Sequence, residues 1–376
     1  MDDPYFVRLL DALTAPTAGY TRSTTPAESG LDFVLGEARY PMPAAVCQGL
    51  SARLAAMDRI WYSDPRGEAG LRATYLGHLR PNGGTVLVTA GGKEAACLAL
   101  RFALHQQGGG PVLVPSPGWE PYRFWVEAAG ATTLSYDPAS VAADPGRLRA
   151  LIAESDPRPR VLVLNYPHNP TGTEISQAVM DEIVANATVF GLNLVSDEVY
   201  RVFGQMPVTA ARALAFDPHH HFVVDSVSKS LASAGLRVGF LVADRQVLDA
   251  LTAFRSSYAS CTSMLTQHLA TTLLTDPDAS AWLTQVRQAV TDDRAATAAA
   301  LTDAGIDVVS HGGLYLWCKT PDPAALPARE TAAPARARVT PGAGFGAADH
   351  FRVCTARANL DPIAAAAAIV ETLRSW

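Results

Sequence analysis

Cysteine is sparse and unpatterned in this chain of 376 residues. Its five cysteines, Cys47, Cys97, Cys261, Cys318 and Cys354, contain no Cys-x-x-Cys pair. That spacing argues against a disulfide framework or a zinc ribbon. An odd, scattered set reads as reduced thiols packed as small apolar groups in a cytoplasmic protein. Charge is also thin. Charged residues make up 18% of the chain and the net charge is −6, with no basic block or stripe, so no nucleic-acid partner is expected. No apolar run reaches the length of a membrane span. The Ala-rich stretch from Ala364 to Val370 is too short, and Glu371 and Arg374 lie close by, so no membrane partner is expected either. The opening Met1-Asp2-Asp3-Pro4 is acidic and lacks the apolar segment of a secretory signal. Metal-ligand spacing is missing too. His219-His220-His221 follows the turn signal Asp217-Pro218 with no partner cluster, which reads as a solvated turn, and no metal site is expected. No fixed-period repeat occurs.

What the chain does have is apolar bulk, 48% of its residues, in an alternating pattern. The length suits a large domain plus a smaller one. Helical patterns are expected over 44–60, 68–79, 93–105, 120–129 and 176–190, the last opened by a Ser cap. Strands that are apolar throughout are expected over 86–88, 111–115, 161–165, 192–196, 223–224 and 238–242. Such strands alternating with helices mean an α/β fold with a mostly parallel sheet covered on both faces. Ligands then sit beyond the strands' C-terminal ends. After Asp276-Pro277-Asp278 a long helix is expected to about Ala304, followed by strands over 307–310, 314–319 and 351–355 and a last helix from Asp361. This reads as a smaller α+β unit. Large-domain boundaries of 44–278 are expected, with 1–43 and 279–376 in the small domain. The segment 321–341, rich in Ala, Pro and Arg, reads as a surface loop.

The chemistry falls in the strand-end loops. Ser226-Val227-Ser228-Lys229 is followed by Gly235-Leu236-Arg237-Val238-Gly239. An amine, two hydroxyls and a guanidinium between glycines suit a phosphate-bearing aldehyde, of which pyridoxal 5'-phosphate (PLP) is the obvious candidate. Thr89-Ala90-Gly91-Gly92-Lys93 joins a strand to a helix, and its glycines let backbone approach a phosphate at the helix N-terminus. Asp197, at the end of a strand, is either a helix N-cap or a buried carboxylate that needs a cation such as a protonated pyridine nitrogen. Asn169 and Tyr200 suit a phenolic oxygen. Trp119 either stacks on a planar ring or belongs to the core.

In order and spacing, Gly-Gly-Lys-Glu-Ala, Pro-Gly-Trp, Asn-Pro-Thr-Gly, Asp-Glu-Val-Tyr and Ser-x-Ser-Lys…Gly-x-Arg-x-Gly resemble the class I/II aminotransferases, the fold-type I PLP enzymes, from about residue 31 to residue 357. The resemblance implies a seven-stranded main sheet and a set of roles. Lys229 would carry the cofactor as an internal aldimine and shuttle the proton. Asp197 would hold the ring nitrogen, Asn169 and Tyr200 the ring oxygen, and Trp119 would stack on the ring. Ser226, Ser228, Arg237 and the Gly92–Lys93 backbone would hold the phosphate, with Tyr62 reaching it from the neighbouring subunit of a homodimer. Arg352, with Gly36 and Asn169 beside it, would bind the substrate carboxylate. The implied reaction moves an amino group between an α-amino acid and a 2-oxo acid by ping-pong chemistry. The alternative is a PLP lyase or cyclase of the same fold, a C–S β-lyase or a capreomycidine synthase-like enzyme of natural-product or amino-acid metabolism. Two departures stand out. Gly36-Glu37-Ala38-Arg39 replaces the family's usual Gly-Glu-Pro-Asp, which reads as loop drift or an altered substrate mouth. Arg255 lies where dicarboxylate-specific relatives carry a side-chain-binding arginine, but its neighbours differ, and a solvated helix-end arginine is expected.

Overall fold

A computed structural model describes residues 31–320 and 336–375. After the short β1 (Leu31–Asp32), seven strands build the main sheet: β2 (Thr85–Thr89), β3 (Val112–Pro115), β4 (Thr133–Tyr136), β5 (Val161–Asn165), β6 (Asn193–Asp197), β7 (His221–Ser226) and β8 (Gly239–Ala243). Their spatial order is β2-β8-β7-β6-β5-β3-β4. Only β8 runs against its neighbours; the β3–β4, β3–β5, β5–β6 and β6–β7 pairs are parallel. Strands β5 to β8 are buried along their whole length. Continuous Val, Leu and Phe runs are required when both faces of a sheet are covered. One apolar cluster packs Leu87, Val112, Val114 and Val161 against helix Gly92–Gln106. The other packs Val86, Val88, Leu162 and Leu164 on the opposite face.

A second sheet, order β12-β13-β10-β9, contains β9 (Asp307–Gly312), β10 (Tyr315–Lys319), β12 (Thr340–Pro341) and β13 (His350–Cys354), all antiparallel. It has its own core around Phe33, Leu316, Phe351 and Ile369. The long helix Pro277–Asp303 leads into it. Asp276 caps that helix by accepting from the backbone of Asp278 (2.8 Å) and Ala279 (3.1 Å). Leu283, Val286 and Val290, at steps of three and four residues, form its buried stripe with Trp282 beside them.

Several expectations need correction. The helix from Ala44 stops at Ala55 rather than residue 60; the Met57 N–H reaches back only to Leu54 (3.1 Å), a tightened last turn. The edge strand β4 and helices Pro138–Ala143 and Gly146–Glu154 have no counterpart among the elements expected from sequence. No bounds follow from sequence for Arg245–Ala259 or Met264–Thr275 either. The histidine run is solvated only at its start: His219 is exposed, whereas His221 is buried and opens β7. The 321–341 segment lies mostly outside the described residues, but its end forms strands, with β11 (Ala337–Arg338) pairing parallel to β1. The Ser116–Pro117 and Asn169–Pro170 peptides are both cis.

Candidate active site

The C-terminal ends of β3, β5, β6 and β7 open onto one cavity of about 520 Å³. Its charged lining residues are Lys93, Lys229, Arg237 and Arg352 against Glu37 and Asp197. The excess of cations suits a ligand carrying a phosphate and a carboxylate.

Asp197 ends β6 and is 4% exposed. Its carboxylate accepts a hydrogen bond from the Tyr122 hydroxyl (2.6 Å). Burial pushes its pKa up to about 6, against the pull of the Tyr122 and Val199 hydrogen bonds and the Lys229 charge. The N-cap alternative fits poorly. The Val199 N–H is 3.4 Å away, and the next helical turn begins only at Arg201. Asn165 ties this corner together: its Nδ2 donates to the Asp197 carbonyl (2.9 Å) and its Oδ1 accepts from the Asn169 N–H (2.9 Å).

Lys229 sits in the single turn Val227–Ser230, capped by the Ser226 hydroxyl, which accepts from the Ser228 N–H at 3.1 Å. Its amine donates to the Gly36 carbonyl and lies 5.9 Å from the Tyr200 ring centroid. The Tyr315 hydroxyl donates to that of Tyr200 (2.6 Å). A Cβ at Gly36 would collide with the Tyr315 hydroxyl, so Gly36 is glycine for lack of space.

Around the adjacent turn, Ser226 and Ser228 bring their hydroxyls within 2.9 Å of each other. Arg237 donates to the Ser228 hydroxyl (3.2 Å) and to the Ala90 carbonyl (3.3 Å). Gly91 has φ +92°, and a Cβ there would strike the Arg237 guanidinium. Gly92 opens the helix, and a Cβ on it would lie 2.9 Å from Val199. These glycines leave a hollow lined by two hydroxyls, a guanidinium and the first turn of a helix.

Arg352, on β13, is 7% exposed. It donates to Asn169 Oδ1 (2.6 Å) and the Val34 carbonyl (2.6 Å), and its guanidinium lies 4.5 Å from the Tyr315 ring centroid and 4.9 Å from that of Phe345. Its Nε is buried without a hydrogen-bond partner. Among the described residues no carboxylate pairs with it. A buried cation in that state favours an incoming anion. Trp119 lines the cavity with its ring edge-on to Tyr122 (centroids 5.1 Å) and Lys93 above it.

The site residues named from sequence therefore meet in one cavity, with one exception. Tyr62 is 87% exposed and does not line the cavity within one chain. Tyr122, Asn165, Tyr315, Phe345 and Glu37 line it as well; the sequence assigns none of them a role at the site. Lysine scarcity was a further unused signal: the chain has three, Lys93, Lys229 and Lys319. Arg39 is not part of the lining, but it pairs with Glu37 (2.7 Å), which is. Arg255 is corrected outright. It is 1% exposed and ion-paired with Glu94 (3.0 Å), not solvated, because its helix packs it beneath the turn that precedes Gly92.

A sequence model of the family "Aminotransferase class I and II" matches residues 30–369. The chain belongs to this family. Among curated proteins it is similar to the aspartate/prephenate aminotransferase of Thermus thermophilus, at 28% identity over 351 residues, which is 88% of this chain and 89% of that protein. It is also similar to the glutamate-pyruvate aminotransferase AlaC of Escherichia coli, at 26% identity over 341 residues, 85% of this chain and 80% of that one. A solved structure of the Thermus thermophilus aspartate aminotransferase with maleate shares the fold, with a TM-score of 0.79 at 23% identity, covering 100% of this chain and 97% of that one. The chain is thus a PLP-dependent aminotransferase of fold type I, and the lyase or cyclase alternative finds no support among these relatives.

The residues present fit PLP. The hollow at Gly91–Gly92 supplies phosphate donors, the buried Asp197 suits a protonated ring nitrogen, and Lys229 supplies an amine between them. No helix among the described residues is long and apolar enough to cross a membrane.

Proposed function

We propose that Lys229 is the residue that bonds the PLP aldehyde and carries the proton of the transamination. Convergence of its amine with Asp197 and Arg352 on one cavity is the observation that supports this assignment. Bound PLP supplies the electron sink that lets the substrate Cα–H be removed. Asp197 would hold the ring nitrogen protonated; burial raises this carboxyl's pKa to about 6, so its charge near neutrality is costly until a cation faces it. Asn169 and Tyr200 orient the ring oxygen, and the Tyr315 hydroxyl fixes that of Tyr200. Ser226, Ser228, Arg237 and the Gly92–Lys93 backbone hold the phosphate, and Trp119 covers the ring. Arg352 binds the substrate α-carboxylate, with Gly36 and Asn169 shaping the space beside it. With the cofactor bound, the Lys229 amine would be the group placed to hold and move the substrate Cα proton, a general acid–base role worth roughly 10²- to 10⁴-fold.

The finer proposals concern organisation. Residues 44–278 would form the cofactor-binding unit, and the described parts of 1–43 and 279–376 the smaller one; 1–30 and 321–335 lie outside the described residues. This division is supported by the main sheet lying within 85–243 and the second sheet after 307. A homodimer would bring Tyr62 to the partner's phosphate site; the exposed run Ile60-Trp61-Tyr62 (71%, 68% and 87%) supports an interface there. Five free cysteines support a cytoplasmic location. The test is a half-reaction. Enzyme with PLP is mixed with α-amino acids and no 2-oxo acid. The reading expects stoichiometric conversion of bound cofactor to its amine form. Release of ammonia or a cyclic product, with the aldehyde form restored, would count against it.

A further inference from the structure

We propose that Glu94 and Arg255 are positioning residues that set the turn Ala90–Lys93, and so decide how strongly the enzyme prefers PLP over the same ring without its phosphate. The inference rests on the reading above that this turn holds the phosphate. Neither residue lines the cavity, so neither touches the ligand.

The turn depends on a residue that cannot hold it. Gly91, at φ +92°, is free to adopt many other backbone conformations. Its geometry must therefore be imposed by its neighbours: Thr89 Oγ1 donates to its carbonyl (3.1 Å), and the peptide before it is the second hold. That peptide is clamped on both sides. The Ala90 N–H donates to Glu94 Oε2 (2.5 Å), and the Ala90 carbonyl accepts from Arg237 (3.3 Å). Glu94 can serve only if its carboxylate is kept from turning to solvent. Arg255 does this: its Nε donates to Glu94 Oε1 (3.0 Å), and the Tyr258 hydroxyl lies within 3.4 Å of the same oxygen. Arg255 is itself fixed, since its Nη2 donates to the Thr262 hydroxyl (2.9 Å), which donates to the Val88 carbonyl (3.2 Å). Val88 lies in β2, the strand that enters the turn. One buried guanidinium thus ties the turn's entry, through Thr262, to its exit, through Glu94. Loss of either residue releases Ala90 and lets the phosphate donors drift.

The experiment compares binding of PLP and of pyridoxal, which lacks the phosphate, to the full-length enzyme by equilibrium dialysis. Glu94→Ala and Arg255→Ala should each cut the preference for PLP on the order of tenfold, the scale of one charge-assisted hydrogen bond. Pyridoxal binding should barely move. Glu94→Gln keeps an acceptor for Ala90 and should retain most of the preference. The double variant should lose no more than the worse single one, because both act through one contact. If Arg255→Ala fails to fold, Glu94→Ala decides alone. An unchanged preference in Glu94→Ala, or equal weakening of both ligands, overturns the proposal, since a merely structural role would weaken both together. A wild-type enzyme with no preference for PLP would overturn the phosphate-site reading itself, a separable outcome.

Discussion

Asp197→Asn should stabilise the PLP-free enzyme while disabling the loaded one. The carboxyl is buried and its pKa stands near 6 instead of 3.8, with burial as the leading cause. A raised carboxyl pKa means the folded chain prefers the neutral form. The folded state is therefore unpenalised below about pH 4, loses stability as pH rises from there through about 6, and is fully penalised above. At about 1.4 kcal/mol per pH unit, the cost at neutral pH is roughly 3 kcal/mol. Asparagine is neutral throughout and can still accept from Tyr122. Urea unfolding of the two PLP-free proteins should show the variant more stable by roughly 3 kcal/mol near neutral pH, with the gap closing as pH falls to about 4. Saturating PLP should reverse the ranking, because the carboxylate then faces a cation. If the wild type is equally or more stable than the variant when PLP-free at neutral pH, the burial argument fails.

Other outcomes follow from the same geometry. Lys229→Ala should lose turnover and the visible absorbance of bound cofactor while keeping the far-UV circular dichroism of the fold. Arg352→Met should raise KM for amino-acid donors by roughly 30- to several-thousand-fold, the equivalent of about 2–5 kcal/mol for a desolvated charge pair, with PLP affinity nearly unchanged. Gly36→Ala forces a methyl into the Tyr315 hydroxyl; it should lower kcat by displacing the Tyr315–Tyr200 contact, while Gly235→Ala, where a Cβ meets nothing within 4 Å, should leave the fold's stability intact.

Much of this site was legible as local strings. Asp197 ends an apolar strand, and Asn169, Lys229 and Arg237 lie in the short segments that follow such strands; the strand pattern alone puts these strand ends at one sheet edge. Strands β5 to β8, three parallel and the last reversed, were readable because burial on both faces forces largely apolar runs. The edge strand β4 was not: Thr133-Leu134-Ser135-Tyr136 is short, half polar and buried only at its end. Tyr122, Asn165 and Tyr315 escaped notice because their roles arise from partners 75, 32 and 115 residues away in sequence. Arg255 was misread for the same reason. Its neighbours suggest solvent, and only the packing against Glu94, 161 residues back, makes it a buried ion pair.

Reduction of the PLP-loaded enzyme with borohydride, followed by digestion and mass mapping, would fix the cofactor on whichever amine holds it. The chain offers Lys93, Lys229 and Lys319. A single pyridoxyl group on Lys229 is the expected result. Attachment to Lys93 or Lys319, or no attachment while the enzyme still turns over, would contradict the account.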